Sequence, residues 1–187
     1  AYEIRNCDWS SDVCSSDLAE HITLRQMLLK AGADQGIREF GFYAMNSLRL
    51  EKSFGIWNAE FTQDRTPGVT GLDRWIDWSR DEFNGHDAAL KEKSEGGVKQ
   101  QLVTFEIDAE DADASGYEPV WQNEQRVGFV TSGGYGHCSQ KSLAMGLLHT
   151  DIDEGNGPLA IDVVGKRRTA RVLAEPAWDP KGEKMRI

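Results

Sequence analysis

The sequence predicts an α+β chain, helical to about residue 96 and built from short antiparallel strands after that. Two observations make the prediction. Apolar residues recur at helical spacing in the first half, whereas from residue 101 they alternate in short runs separated by Gly and Asp. Between the two regimes, Ser94, Glu95, Gly96 and Gly97 form a small polar run that suits a domain boundary.

Residues 19–36 place Ile22, Leu24, Met27, Leu28 and Ala31 near helical spacing, which predicts an amphipathic helix stopped by Gly32. Residues 37–42 form a connector. A second helix is expected over residues 43–49, passing through Leu50 and Glu51 into a turn near Gly55. Thr66, Pro67 and Gly68 punctuate a loop, and residues 81–93 read as a third helix around Phe83, Ala88, Ala89 and Leu90. Strands are expected at 101–107, 117–121, 127–131, 142–148, 159–164 and 169–174, a set that suits an antiparallel barrel or a sandwich. Residues 132–136, SGGYG, are expected as a tight turn, because glycine tolerates positive φ. The acidic run at 108–113 reads as a solvated loop rather than a metal site.

A formal net charge of −10 disfavours nonspecific nucleic-acid binding, which relies on Lys and Arg neutralising phosphates. No apolar run approaches the ~20 residues of a membrane helix, and no signal-peptide pattern opens the sequence. Residues 9–18, WSSDVCSSDL, read as the translation of a common sequencing adapter and are excluded from fold reasoning, together with residues 6–8. That removes Cys7 and Cys14 and leaves Cys138, which allows no internal disulfide and suits a reducing compartment. His21, His86, His137 and His149 are scattered, so no metal cluster is expected. His137 and Cys138 are adjacent, and adjacent residues in extended chain point to opposite faces, which favours a structural turn over a nucleophile–base pair. No Gly-x-Gly-x-x-Gly follows an expected strand, so no flavin or nicotinamide domain is expected here.

Residues 43–57, YAMNSLRLEKSFGIW, and residues 130–137, VTSGGYGH, carry the family signal. In this order they resemble the folate-binding C-terminal half of the dimethylglycine and sarcosine dehydrogenase family. That half is related to the aminomethyltransferase (T-protein) of the glycine cleavage system. Residues 175–187, EPAWDPKGEKMRI, resemble the family's C-terminus. The resemblance implies a partial aminomethyltransferase-type folate-binding domain over residues 1–96, interrupted at about 6–18, and the family's C-terminal β-barrel domain over 97–187.

The implied function is that of an FAD-dependent demethylating dehydrogenase. It would oxidise an N-methyl amine such as dimethylglycine or sarcosine and pass the one-carbon unit to tetrahydrofolate. In the family the FAD domain and the acid/base aspartate precede residue 1, so no catalytic residue is expected in this segment, which alone is expected to be inactive. The competing readings are a stand-alone T-protein-like aminomethyltransferase and a non-enzymatic regulatory relative, like the regulatory subunit of pyruvate dehydrogenase phosphatase. The expected partners are a small N-methyl amine and folate, with no nucleic acid and no membrane. The expected compartment is the cytoplasm in a bacterium or the mitochondrial matrix in a eukaryote.

The pterin ring of tetrahydrofolate presents a donor–donor edge, for which a carboxylate is the natural acceptor pair. The candidates are Glu3 and Glu51. Tyr2, Glu3 and Ile4 match the family strand Gly-aromatic-Glu-Ile/Leu, with Ala1 where glycine is usual, so the resemblance implies Glu3 and the adjoining Ile4 as folate contacts. Arg49 and Glu51 read as an internal network, because buried charges need partners. Met45 stands where the T-protein has a folate-binding arginine, so that role has no residue here. Arg74 occupies the family slot that lines the folate site, with Trp75 beside it; a guanidinium plane can cover a ring face. Genomic DNA amplified without added adapters should encode Tyr-Glu-Ile followed within a few residues by Ala-Glu-His. Recovering the Ser/Asp segment from that DNA would show the insert to be native.

Overall fold

The computed structural model describes residues 20–80, 83–152, 157–184 and 186; Glu3, Ile4 and the 9–18 segment lie outside the described residues. The chain divides into two compact units, residues 1–40 and 41–187.

In the first unit, helix α1 (His21–Ala31) is followed by a 3₁₀ turn (Ala33–Gln35). Gly32 ends α1 as expected, donating to Leu28 O at 2.9 Å. Glycine is required there, because a Cβ would lie 2.8 Å from Cβ of Ile37. The expected apolar face is not buried in this chain: Ile22 is 70% and Met27 64% exposed.

In the second unit, helix α2 (Phe42–Glu51) runs through the Arg-Leu-Glu motif and buries Ser47, Leu50 and Glu51. The short helix α3 (Pro67–Thr70) is capped by Thr66, whose Oγ1 accepts from Val69 N at 3.3 Å, and begins with proline, whose missing N–H costs nothing there. A 3₁₀ turn (Asp73–Trp75) and helix α4 (His86–Ser94) follow. Helix α4 starts at His86 rather than at 81, because Gly85 sits at φ 89, outside helical space, and Phe83 and Asn84 precede it in non-helical conformations.

The strands are β1 (Gln100–Ile107), β2 (Pro119–Gln122), β3 (Gln125–Gly136), β4 (Lys141–His149), β5 (Leu159–Val163) and β6 (Lys166–Val172). They close into a barrel in the order β1-β4-β3-β2-β5-β6, with every pairing antiparallel. Closure removes the sheet edges that a sandwich would leave. Phe105, Ile107, Val120, Val130, Ala144, Leu148, Ile161 and Val163 form the interior core. Strand β4 is buried along nearly its whole length, and its two faces do different work. Ala144 and Leu148 point into the barrel, while Leu143 and Met145 pack outward with Leu50 of α2. The β5–β6 turn is Val164 and Gly165, both at positive φ, as a two-residue hairpin requires.

The SGGYG turn expected from the glycines is not a turn. All five residues lie within β3, which runs to Gly136. Their glycines serve close approach instead. A Cβ on Gly133 would run into the Ala114 carbonyl, and one on Gly136 would lie 2.5 Å from Ser139 Oγ and 2.9 Å from Glu51.

Glu106 of β1 ties both neighbouring strands, accepting from Arg171 of β6 and Lys141 of β4 at 2.8 Å each. Burial pushes the Glu106 carboxyl up, but the hydrogen bonds and charges of Lys141 and Arg171 outweigh it and hold the group below its ordinary value of 4.5. A carboxyl depressed in the fold stabilises it at pH above the unfolded value, and that contribution disappears as pH falls through the folded value. Acid titration of stability should therefore show a loss below pH 4.5 of ~0.2–1 kcal/mol, as for a partly solvated pair. Glu106→Gln should lack that step when unfolding is followed against pH.

Candidate functional site

Helix α2 docks on the outer side of β3 and β4 through residues that recur on one helical face. Asn46 Nδ2 donates to Gly133 O at 3.1 Å, and Ser47 Oγ donates to Tyr135 O at 2.7 Å while accepting from His137 N at 3.2 Å. Glu51 Oε1 accepts from Ser139 N at 2.6 Å and Ser139 Oγ at 2.9 Å. Leu50, fully buried, sits between these polar ties against Leu143 and Met145. The helix comes this close because β3 has no side chain at the point of contact: a Cβ on Gly134 would lie 3.3 Å from Asn46 Nδ2.

Glu60 is the residue that sequence reasoning missed. It has no exposed surface, and both of its oxygens are satisfied. Oε2 accepts from Arg49 Nη1 at 2.9 Å and Ile56 N at 2.8 Å; Oε1 accepts from Thr131 Oγ1 at 2.6 Å and Ser132 Oγ at 2.5 Å. The two hydroxyls reach the same oxygen because β3 is irregular between Val130 and Ser132. Val130 pairs with Gly146 and Ser132 with the very next residue, Met145, so Thr131 is the additional residue of a β-bulge. The bulge turns Ser132 to the outer face. Arg49 spends Nε and Nη2 on Asn46 Oδ1 at 3.0 and 2.7 Å. Burial lowers the Arg49 pKa from its usual value, opposed by the charge and hydrogen bond of Glu60. Nothing in the local sequence around Glu60 marks it, since its side-chain partners lie 11, 71 and 72 residues away.

Beyond the helix, Lys52 Nζ lies 3.6 Å from Asp179 Oδ2 and Trp178 N donates to Glu51 O at 3.1 Å, so the C-terminal segment straps the end of α2. Loss of hydration and the Glu51 carboxylate push the Cys138 thiol up, the opposite of what a nucleophile needs. His137 stacks edge-on against Tyr135 at 5.2 Å. Among the described residues no group of His, Cys, Asp or Glu is arranged to hold a metal ion.

Of the residues read as folate contacts, Arg74 is the one within the described residues. It lies on the Asp73–Trp75 turn, exposed, with Cζ 5.7 Å from the Trp75 ring centroid. Trp75 is itself 77% exposed, so the two present an open cation–aromatic surface. Arg74 does not line the adjacent cavity of about 930 Å³, whose walls include Pro67, Ile76, Trp78, Phe83 and Ala89.

A closed six-stranded barrel with a helix seated on its bulged strand defines a class, and comparison with known proteins gives that class a family. Residues 14–80 match the GCVT N-terminal domain, and residues 100–179 match the glycine cleavage T-protein C-terminal barrel domain. The two matches cover most of the chain, which belongs to the glycine cleavage T-protein-like family. Mitochondrial dimethylglycine dehydrogenase of Rattus norvegicus is 36% identical over 154 residues, covering 82% of this chain and 18% of that protein. An aminomethyltransferase of Caldanaerobacter subterraneus is 35% identical over 155 residues, covering 82% of this chain and 41% of that protein. The crystal structure of the glycine cleavage system aminomethyltransferase T from Bartonella henselae shares the fold, with a TM-score of 0.73 at 24% identity over 83% of this chain and 44% of that one. The chain therefore spans less than half the length of each of these relatives.

Replacing Glu60 by Gln should leave Arg49 buried without a counter-charge and cost about 3–5 kcal/mol in denaturant unfolding. Arg49→Met combined with Glu60→Leu should recover most of that loss. Equal destabilisation in the single and double variants would mean that the charge pairing is not what matters.

Proposed function

We propose that this chain is the folate-binding part of a demethylating dehydrogenase acting on an N-methyl amine such as dimethylglycine or sarcosine. The observation that carries the reading is the 36% identity to dimethylglycine dehydrogenase over 82% of this chain. The segment NSLRLEK at residues 46–52 supports it. Tetrahydrofolate, when bound, supplies the nitrogens that take up a one-carbon unit. The chain's own residues would bind and orient it: Glu3 accepts from the donor edge of the pterin, Ile4 follows it in sequence, and Arg74 covers a ring face. FAD does not fit here. The sequence has no glycine fingerprint after a strand, so a flavin would belong to a preceding domain and no step is assigned to it. In this reading residues 1–96 belong to the folate-binding domain and residues 97–187 to the barrel domain, in a mitochondrial matrix or bacterial cytoplasmic protein.

A second reading, a stand-alone aminomethyltransferase, is favoured by the 35% identity to the Caldanaerobacter enzyme. A dinucleotide-binding glycine fingerprint some hundreds of residues upstream, together with an intact upstream catalytic aspartate, selects the dehydrogenase over both the transferase and the regulatory relative; absence of the fingerprint from the complete gene selects the transferase. Both readings require folate. In the longer polypeptide, calorimetry with tetrahydrofolate should show Glu3→Gln weakening binding by ~1.5–3 kcal/mol, the range for a hydrogen bond to a charged group. Arg74→Ala should cost less, ~0.5–2 kcal/mol, as for a cation lost from a ring face. An unaffected Glu3→Gln protein would overturn the site.

A further inference from the structure

The acidic run at residues 108–113 borders one end of the barrel and, with the strand ends beside it, lines a cavity of about 600 Å³. That size and position, at a barrel mouth, are those at which proteins commonly take small molecules. Ser142 lines this cavity from β4. It pairs with Ile107 on one side and Tyr135 on the other, two residues before Ala144. Ile107 and Ala144 belong to the interior core, so Ser142 faces inward at the barrel end. Ser142 is 3% exposed, and its Oγ has no hydrogen-bond partner. A buried hydroxyl left unpaired costs stability unless something from outside the chain meets it.

The charges around the cavity are uneven. Lys141 and Arg171 are committed to Glu106, and Asp111 is committed to Lys166 and Arg168. That leaves Asp108, Glu110 and Asp113 lining the cavity with no cationic partner among the described residues. These carboxylates do not converge: among the described residues no such group is arranged to hold a metal ion. Separated negative charges around a cavity with apolar wall at Ile107, Ala109, Ala112 and Ala170 suit an extended cation, with methylenes on the apolar wall and N–H groups at the carboxylates. Tyr135, opposite Ser142, adds an aromatic side chain to the cavity lining.

We propose that this barrel-end cavity binds a linear diammonium or polyammonium ion, with Asp108, Glu110 and Asp113 as charge partners and Ser142 Oγ as an acceptor. The site is separate from the folate reading and does not depend on it.

Calorimetry on the 187-residue chain at low ionic strength, with 1,4-diaminobutane as the probe, tests the proposal. One-to-one binding is expected, weakening as salt is added. Butylamine, which keeps the stem but one charge, should bind about tenfold or more weakly. Asp108→Asn/Glu110→Gln/Asp113→Asn should abolish binding, and Ser142→Ala should weaken it about threefold, with no fall in the thermal midpoint of the free protein. Glu95→Gln/Glu124→Gln/Glu183→Gln, which removes the same charge elsewhere, should leave it intact. Equal binding of butylamine, loss in the remote variant, or displacement of the diamine by equimolar magnesium would overturn the proposal. So would the absence of binding, which would make the cavity a water site.

Discussion

Glu60, a carboxylate with no exposed surface, holds the second unit in its register. One oxygen receives Arg49 from α2 and the backbone N–H of Ile56; the other receives two hydroxyls from the bulge in β3. A charge in that position is tolerable because every lone-pair direction has a donor and Arg49 cancels it. Such a pair contributes less to net stability than to uniqueness. If β3 slipped by one residue, Ser132 would turn inward and Glu60 would lose a donor it cannot replace from water.

The remainder of the interface is shaped around that fixed point. Helix α2 is seated by Asn46 and Ser47 at its middle and by Leu50 and Glu51 at its end, all on one face. Strand β3 answers with Gly134 and Gly136, which keep side chains out of the contact, while Gly133 clears the Ala114 carbonyl on its other face. Strand β4 answers with Leu143 and Met145 outward while Ala144 and Leu148 fill the barrel. The Lys52–Asp179 pair and the Trp178 backbone then strap the end of the helix from the C-terminal side. None of these groups has the geometry of a catalyst. They hold the helix motif that links this chain to its family, while the exposed Arg74 and Trp75 stand apart from them.

Two polar systems on the barrel illustrate how environment decides what a charge does. The Arg49–Glu60 pair is sealed and saturated, and its carboxylate is closed to any ligand. At the barrel end, Glu106 and Asp111 have taken the available cations, and neighbouring carboxylates face a cavity beside an unpartnered hydroxyl. The first arrangement specifies structure; the second has recognition capacity left over.

Much of the architecture was legible in the sequence. The change from 3.6-residue to two-residue periodicity near residue 96 predicted helices followed by antiparallel strands; five or six were expected, and six are found among the described residues. The stop at Gly32 and the burial of Arg49 against a carboxylate followed from local chemistry, since a helix needs a terminator and a buried charge needs a partner; that carboxylate is Glu60, while Glu51 accepts from Ser139 and leaves Oε2 unpaired. The choice between barrel and sandwich did not follow from periodicity, because alternation reports which residues face inward and not how the sheet closes. The SGGYG segment was misread for a related reason. Glycine permits both a positive-φ turn and the close approach of another backbone, and only the helix lying across β3 decides between them. Glu60 was invisible because its side-chain partners come from a helix residue 11 positions earlier and a strand some seventy residues later. The sequence alone determined the elements and the family motif, since those depend on neighbours within a few residues. The bulge, the buried pair and the barrel-end cavity were decided by tertiary structure, because each depends on strands meeting in one register rather than another.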